Sequence, residues 1–515
     1  MRRMIVNALL IAACLLLVAG IGESQERNRR GGRNAQDGTD RPRMKGRQQG
    51  PPFTFYTEVP AHDFDIILGR PTRDSITISV LAYRAIECYV VYGTSAEELN
   101  EKIESFKCVK GQPKEIVLSG LKPDSQQYYR LCWRRSGADA FTQDNVHSFH
   151  TQRSPGTPFT FTVQADSHLD VPEAPTLYTG ALLSAFGNVP DFHIDLGDTF
   201  MTDKRRQDYT ASLPQYVAQR YYFGLLCHSA PLFLVLGNHD GESGQSFSGQ
   251  GDSIATWSNT MRKRYFPNPV PNEFYTGNAK PFGSLGLPED YYAWEWGDAL
   301  FVVLDPYWFT TSRARESSSG WERTLGEEQY RWLANTLEHS TALFKFVFIH
   351  NLVGGTESSM RGGAEAARYF EWGGHDPDGR YAFDEKRPGW SAPIHELLKR
   401  YGVNVVFHGH DHFFAHQELD GVTYQLVPQP SHPEERDVTR MAAEYGYVTG
   451  DFLPSPGYLK VEVGKTTATV SYVKVRPTNK DNANTSETVF KYQIDARTQG
   501  NPSDSRKAEH AGEKS

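Results

Sequence analysis

The 515-residue sequence predicts an all-β sandwich followed by a layered α/β domain. Between residues 53 and 152, short runs alternate apolar and polar side chains and are separated by turn residues, as in the half-buried strands of a sandwich. From residue 157 onward, unbroken apolar runs alternate with segments of helical period. Such runs read as strands covered on both faces, and the alternation packs as sheets flanked by helices. A third observation concerns where the runs end: five of them stop at aspartate, asparagine or histidine.

The chain opens with Met1-Arg2-Arg3 and the apolar stretch Ile5–Ala19, with small residues at Ala19, Gly20 and Gly22. A basic start, an apolar stretch of this length and a small-residue exit make residues 1–22 a signal peptide by pattern. Ile11-Ala12-Ala13-Cys14 also resembles a bacterial lipobox, so a lipid or membrane anchor at the N-terminus stands beside simple export. Either way the expected location is periplasmic, extracellular or surface-anchored. Residues 23–52 are rich in Arg, Gln, Gly and Asn with almost nothing apolar, and read as a disordered basic linker. The net charge of -8 argues against a nucleic-acid binder, which needs a basic face.

Strands of the sandwich (53–153) are expected at Ser75–Val80, Cys88–Tyr92, Glu115–Leu118, Tyr128–Trp133 and His147–Thr151. The stretch Leu118–Asp124 to Tyr128-Tyr129-Arg130 looks like the corner of a fibronectin type III module. Its partner is not specified by the sequence. Cys88, Cys108, Cys132 and Cys227 show no Cys-x-x-Cys spacing; a disulfide among the first three and small buried side chains are the two readings.

After the boundary Ser154–Pro158, helices are expected at Ala174–Phe186 and Leu213–Cys227. Two more follow at Thr324–Leu337, with a Thr324/Glu327 capping box, and at Ser391–Tyr401, with Pro393 in its first turn. Tyr291–Asp305 and Tyr424–Val475 add antiparallel strands. The domain runs over 157–475, and 476–515 supplies a last strand, a polar tail and the sequon Asn484-Thr485-Ser486. Two long insertions, Glu242–Glu289 and Gly354–Arg387, follow two of the endings and are expected to rim the same place.

The five endings are Asp166-Ser167-His168, Gly197-Asp198, Gly237-Asn238-His239-Asp240, His350-Asn351 and His408-Gly409-His410-Asp411-His412. Polar groups just beyond such strands sit where open α/β sheets bind ligands. A mix of carboxylate, amide oxygen and imidazole suits borderline cations such as Zn, Fe, Mn or Co better than Ca. Asp198, alone after a glycine, has two oxygens and can join two cations roughly 3.5–4 Å apart. Asp166 and Asp198 supply only two negative charges, so two divalent ions leave a positive site that attracts a phosphate and supplies a metal-bound hydroxide as nucleophile. His239 has a nitrogen available for the leaving oxygen, with Asp240 to orient it, and His408 adjoins the last block as a supporting residue.

As a set, these blocks resemble the calcineurin-like metallophosphoesterases, in family order over about Phe159–Val475. The resemblance implies two mixed β-sheets flanked by helices, and a pair of divalent or mixed-valence transition-metal ions (Fe, Mn, Zn or Co). It implies Asp166, His168, Asp198 and His412 on one ion, and Asp198, Asn238, His350 and His410 on the other. The preceding sandwich is similar to the architecture of purple acid phosphatases, with two departures. His168 stands where that subfamily has glycine, and Met201 where it has a tyrosine ligand. The expected function is hydrolysis of small phosphate esters, monoesters first. A phosphodiesterase or nucleotide pyrophosphohydrolase on the same site, and a non-catalytic surface-binding protein, are the alternatives. His193, His375, His395, His416 and His432 read as structural, as do the nearby pocket residues Arg361 and Trp372.

Overall fold

In a computed structural model of the chain, the described residues are 53–247, 252–310, 320–355, 360–434, 437–477 and 484–497. The leader and linker predicted for 1–52, and the tail after residue 501, lie outside them. Among the described residues no helix is long and apolar enough to cross a membrane.

The first region forms two antiparallel sheets. One pairs Phe64–Gly69, Ser75–Ala82 and Lys114–Ser119; the other is built on Ile86–Gly93 and Gln126–Arg135. Ile66, Ile78, Val90, Leu131 and Phe149 fill the space between them. The period-two pattern is obeyed in Ile86–Gly93, where Ile86, Cys88 and Val90 are buried and their neighbours half-exposed. Ser75–Ala82 breaks it, being buried from Ile76 onward. The cause is a second cover: Ile67 and Leu81 on the outer face of this sheet pack with Tyr222, Phe223 and Leu226 of the helix Leu213–Cys227. The corner tyrosine joins the same contact, since the Tyr129 hydroxyl donates to the carbonyl of His228 at 2.6 Å. All four described cysteines are buried and unpaired.

Arg220, fully buried, fastens this contact. Its guanidinium donates to Ser79 Oγ at 3.0 Å, to the Ser79 carbonyl at 2.9 Å and to the Tyr265 carbonyl at 2.8 Å. Removing it strands two carbonyls away from water, and each orphaned acceptor costs on the order of 1–3 kcal/mol. Arg220→Met is therefore expected to lower unfolding stability by about 3 kcal/mol or more, read as a shift in urea midpoint.

The second region stacks two sheets face to face. Leu232–Leu234, Phe192–Asp195 and Phe159–Gln164 run parallel, and Gly457–Val463, Thr467–Pro477 and Asn484–Asp495 extend that sheet antiparallel. The other sheet has Ala299–Val303, Phe344–Ile349, Val405–His408 and Val422–Leu426 in parallel at its centre. Phe161, Phe192, Phe301, Phe346, Phe348 and Phe407 interleave between the sheets. Helices Ala174–Phe186 and Leu213–Cys227 cover one outer face, and Gly326–His339 with Ile394–Arg400 cover the other. Continuous apolar strands are thus explained by burial on both faces.

The structure corrects several boundaries. The third predicted helix begins at Gly326, so Thr324 is not its cap; Thr324 Oγ1 accepts from Gly326 N at 2.9 Å, and Leu325 N is taken by Glu371 Oε1 at 2.8 Å. Pro393 precedes the helix Ile394–Arg400 rather than lying in it. The insertion Glu242–Glu289 contains a helix, Ile254–Tyr265, capped by Ser253, and is not loop throughout.

His193 lies in the core with its Nδ1 2.8 Å from Thr162 Oγ1, and burial alone pushes it down to about 3 from an ordinary 6.5. Below pH 6.5 the unfolded chain takes up a proton that the folded chain refuses. The stabilisation is complete above pH 6.5 and falls as pH drops toward 3, by on the order of 2 kcal/mol at pH 5. Urea unfolding at pH 7 and pH 5 should show that loss, and His193→Gln should flatten it.

Candidate metal centre

Five parallel strands from both sheets end at one place, and their last residues turn sharply. Asp166, Asp198, His410 and His412 all adopt the left-handed backbone region, with φ of 60°, 56°, 77° and 68°. Non-glycine residues hold such angles where the surroundings impose them, commonly at functional sites. The crowding is visible at Gly197 (φ 92°): a Cβ there would lie 2.3 Å from the nitrogen of Gly237. The turns after Phe192–Asp195 and Leu232–Leu234 meet only because both carry glycine.

Two groups of ligand atoms result. Asp166, His168 and His412 form one, and Asp198, His350 and His410 the other; within each, the ligand atoms lie within 4.8 Å of one another. Asp166 Oδ2 accepts from His410 N at 2.9 Å, which turns Oδ1 toward His412 Nε2 at 3.5 Å and His168 Nε2 at 3.7 Å. Asp198 Oδ1 accepts from His239 N at 2.7 Å. Its Oδ2 then faces both groups, 3.3 Å from His350 Nε2 and 3.8 Å from His168 Nε2. Asn238 Oδ1 lies 3.1 Å from His350 Nε2. His350 Nδ1 is fixed on the Leu196 carbonyl at 2.7 Å, so Nε2 is the nitrogen presented.

Cations fit this donor set. Asp166 Oδ1 and His168 Nε2 are buried and have no hydrogen-bond partner, and both are aimed into the cluster. Burial opposes charge on Asp198, yet His350 and His239 hold its carboxyl well below the usual range. Burial likewise opposes charge on His350, yet Asp198 lifts it to about 9. A buried field that draws positive charge onto an imidazole is one in which a cation is at home.

His239 and Asp240 diverge. The expected pairing of the two is replaced by Asp203, whose Oδ1 lies 2.9 Å from His239 Nδ1. Asp240 is buried and points the other way, accepting from the amides of Asp198, Thr199, Phe200 and Gly237 at 3.1, 2.9, 2.7 and 2.8 Å. It binds the two glycine turns together and has no direct part at His239. The reason is local: adjacent side chains on a tight turn diverge, whereas Asp203 returns from five residues beyond Asp198.

Other supporting groups carry no motif. Asp170 Oδ2 lies 3.4 Å from His168 Nδ1. Asp411, between His410 and His412, accepts from Arg361 Nη1 at 2.8 Å, Gly362 N at 3.0 Å and Tyr447 Oη at 2.8 Å. The insertion 354–387 is thereby tied to the last block. Tyr307 donates to Asn351 Oδ1 from a sixth strand end, after Ala299–Val303. His408 is buried in the same block, its Nε2 without a hydrogen-bond partner. Trp372 lies in the outer helical layer with its indole N–H on Tyr424, and His395 shares that hydroxyl.

The sequence profile of the calcineurin-like phosphoesterases matches residues 159–414, the segment that contains every one of these endings. The chain belongs to this family. Calcineurin-like phosphoesterases use divalent metal ions to hydrolyse phosphate esters, and this chain is a metal-dependent hydrolase of that class. Among curated proteins, none matches it in sequence. A solved structure of PhoD is similar at 14% identity and a TM-score of 0.59, covering 85% of this chain and 90% of that one. The purple acid phosphatase PPD1 from yellow lupin (Lupinus luteus) seeds is similar at 14% identity and a TM-score of 0.51, covering 84% and 74%. At such identity the likeness is one of fold. The position of the absent tyrosine is occupied by Met201, buried and with φ of 51°.

Proposed function

We propose that the chain is an exported phosphoesterase, acting first on phosphomonoesters, with a dinuclear centre formed by the two groups above. Asp166, His168 and His412 hold one ion, Asn238, His350 and His410 the other, and Asp198 is shared. The observation that carries this reading is the placement of Asp198 Oδ2 between His350 and His168. Export is supported by the composition of residues 1–22.

Two divalent cations held by these residues would supply positive charge for the phosphoryl oxygens and would acidify a water for attack. The protein's own residues do the rest. Asp203 holds His239 by Nδ1, so it is the imidazolium form of the ring that has a second, transferable proton on Nε2, 3.9 Å from Asp198 Oδ2. As the bond from phosphorus to the leaving oxygen breaks, that proton passes to the oxygen. Asp240 keeps the two turns at fixed separation, so little reorganisation is needed during the reaction.

Chelator-treated protein reloaded with Zn, Mn, Fe or Co, assayed on p-nitrophenyl phosphate and bis(p-nitrophenyl) phosphate, tests this reading. Activity should return only with metal and favour the monoester. Preference for the diester would move the function to phosphodiester hydrolysis, and a metal-loaded protein inactive on both would return it to a binding role.

A further inference from the structure

The segment from Phe53 onward does not merely lead into the sandwich. Tyr56 N donates to the carbonyl of Leu169 at 2.7 Å, directly beside His168. Val59 packs into the cluster that contains Leu169, Ala174 and Phe200. On the other flank, Phe53 lies with its ring centroid 5.2 Å from Lys204 Nζ, and Phe55 lies 5.1 Å from the guanidinium of Arg205. The two rings are nearly parallel, 6.4 Å apart, and Phe53 is 58% exposed. Residues 53–59 thus form a strap between the residue after His168 and the turn after Asp203.

The cations against that strap are placed by the same turn that holds Asp203. Asp203 is tied to His239 through its carboxylate, and also through its backbone N–H, which donates to the His239 carbonyl at 3.2 Å. Lys204 and Arg205 follow immediately. Lys204 N donates to the Met201 carbonyl at 3.2 Å and Arg205 Nη1 to the Ala211 carbonyl at 2.8 Å, so the turn is fixed. Their described partners are ring faces and a carbonyl, which stabilise the side chains without cancelling their charge. In the reaction proposed above the leaving oxygen is protonated by His239, whose ring is held by the residue that directly precedes Lys204 and Arg205.

We propose that Lys204, Arg205 and the strap rings Phe53 and Phe55 form a leaving-group subsite for phosphate esters whose leaving group carries a second negative charge. The inference rests on the phosphoesterase reading above, with His239 on the leaving-group side. A carboxylate or second phosphate meets the two cations, and an aromatic ring between it and the scissile bond meets the exposed face of Phe53. Two half-exposed cations are together worth about a five- to tenfold preference, weakened by salt.

The test uses full-length, metal-loaded protein with phenyl phosphate and 4-carboxyphenyl phosphate, which differ by one charge on the leaving group. The expected result is a KM about five- to tenfold lower for the carboxylate, shrinking at high ionic strength. Lys204→Met and Arg205→Met should each reduce that KM ratio, and the double variant should bring it to one. A wild-type ratio of one, or a ratio that survives in the double variant, overturns the subsite while leaving the hydrolase intact. A wild-type protein inactive on both esters overturns the phosphomonoesterase reading, and the subsite with it.

Discussion

Asp198→Asn is expected to deplete both cations together and to lower turnover on the order of 10³-fold or more. The reason lies in one atom. Asp198 Oδ1 is committed to His239 N, so Oδ2 alone serves both ligand groups. An amide in its place loses the charge, and whichever way it turns, one of its two positions becomes a donor. The N–H of His239 would then face an NH₂ group, or the shared position would. By contrast, His412→Ala touches only the first group and His410→Ala only the second. Metal content per chain, measured by elemental analysis, should fall toward zero for Asp198→Asn and by about half for each histidine variant. Two ions retained in Asp198→Asn would remove the shared carboxylate from the centre.

His239→Ala should behave in the opposite way: metal content stays, and turnover falls by about 10²–10⁴. His239 donates its backbone N–H to Asp198, and alanine preserves that bond. What disappears is proton delivery to the leaving oxygen. The loss should therefore depend on the ester, being large for an alkyl phosphate and small for p-nitrophenyl phosphate, whose leaving oxygen departs without a proton. A loss equal for both esters would place His239 in phosphate binding instead. Asp203→Asn should give a weaker version of the same pattern, because it disturbs only the orientation of the ring. Asp240→Asn should not resemble either, since Asp240 reaches four backbone amides and not the imidazole.

The layered fold was legible because apolar runs such as Phe344–Ile349 can be satisfied only between two covering layers. The endings were legible for a related reason: aspartate and histidine directly after a buried strand have no packing role to explain them. Helix starts were less so. Thr324 has the chemistry of a cap, but the helix begins at Gly326, and the Leu325 amide beside it is taken by Glu371, 46 residues further along the chain. The misreading of Asp240 is instructive because proximity in sequence suggested partnership with His239, while the turn sends the two side chains apart. Asp203, Asp170 and Asp411 could not have been assigned, since a lone carboxylate near a ligand has no periodicity to distinguish it from a solvated one. Their roles exist only once the turns bring Nδ1 of each imidazole, or the amide of Gly362, within reach.

The buried Arg220 also bears on how the chain can be divided. Because its guanidinium is shared between Ser79 on one side and Tyr265 on the other, neither half possesses a finished surface of its own. A phosphoesterase-domain fragment beginning at residue 157 would carry a naked cation and an oily helix flank into water, and should be insoluble when expressed alone. Nicking the connecting segment at Ser154–Pro158 in the intact protein should, for the same reason, yield two pieces that elute together.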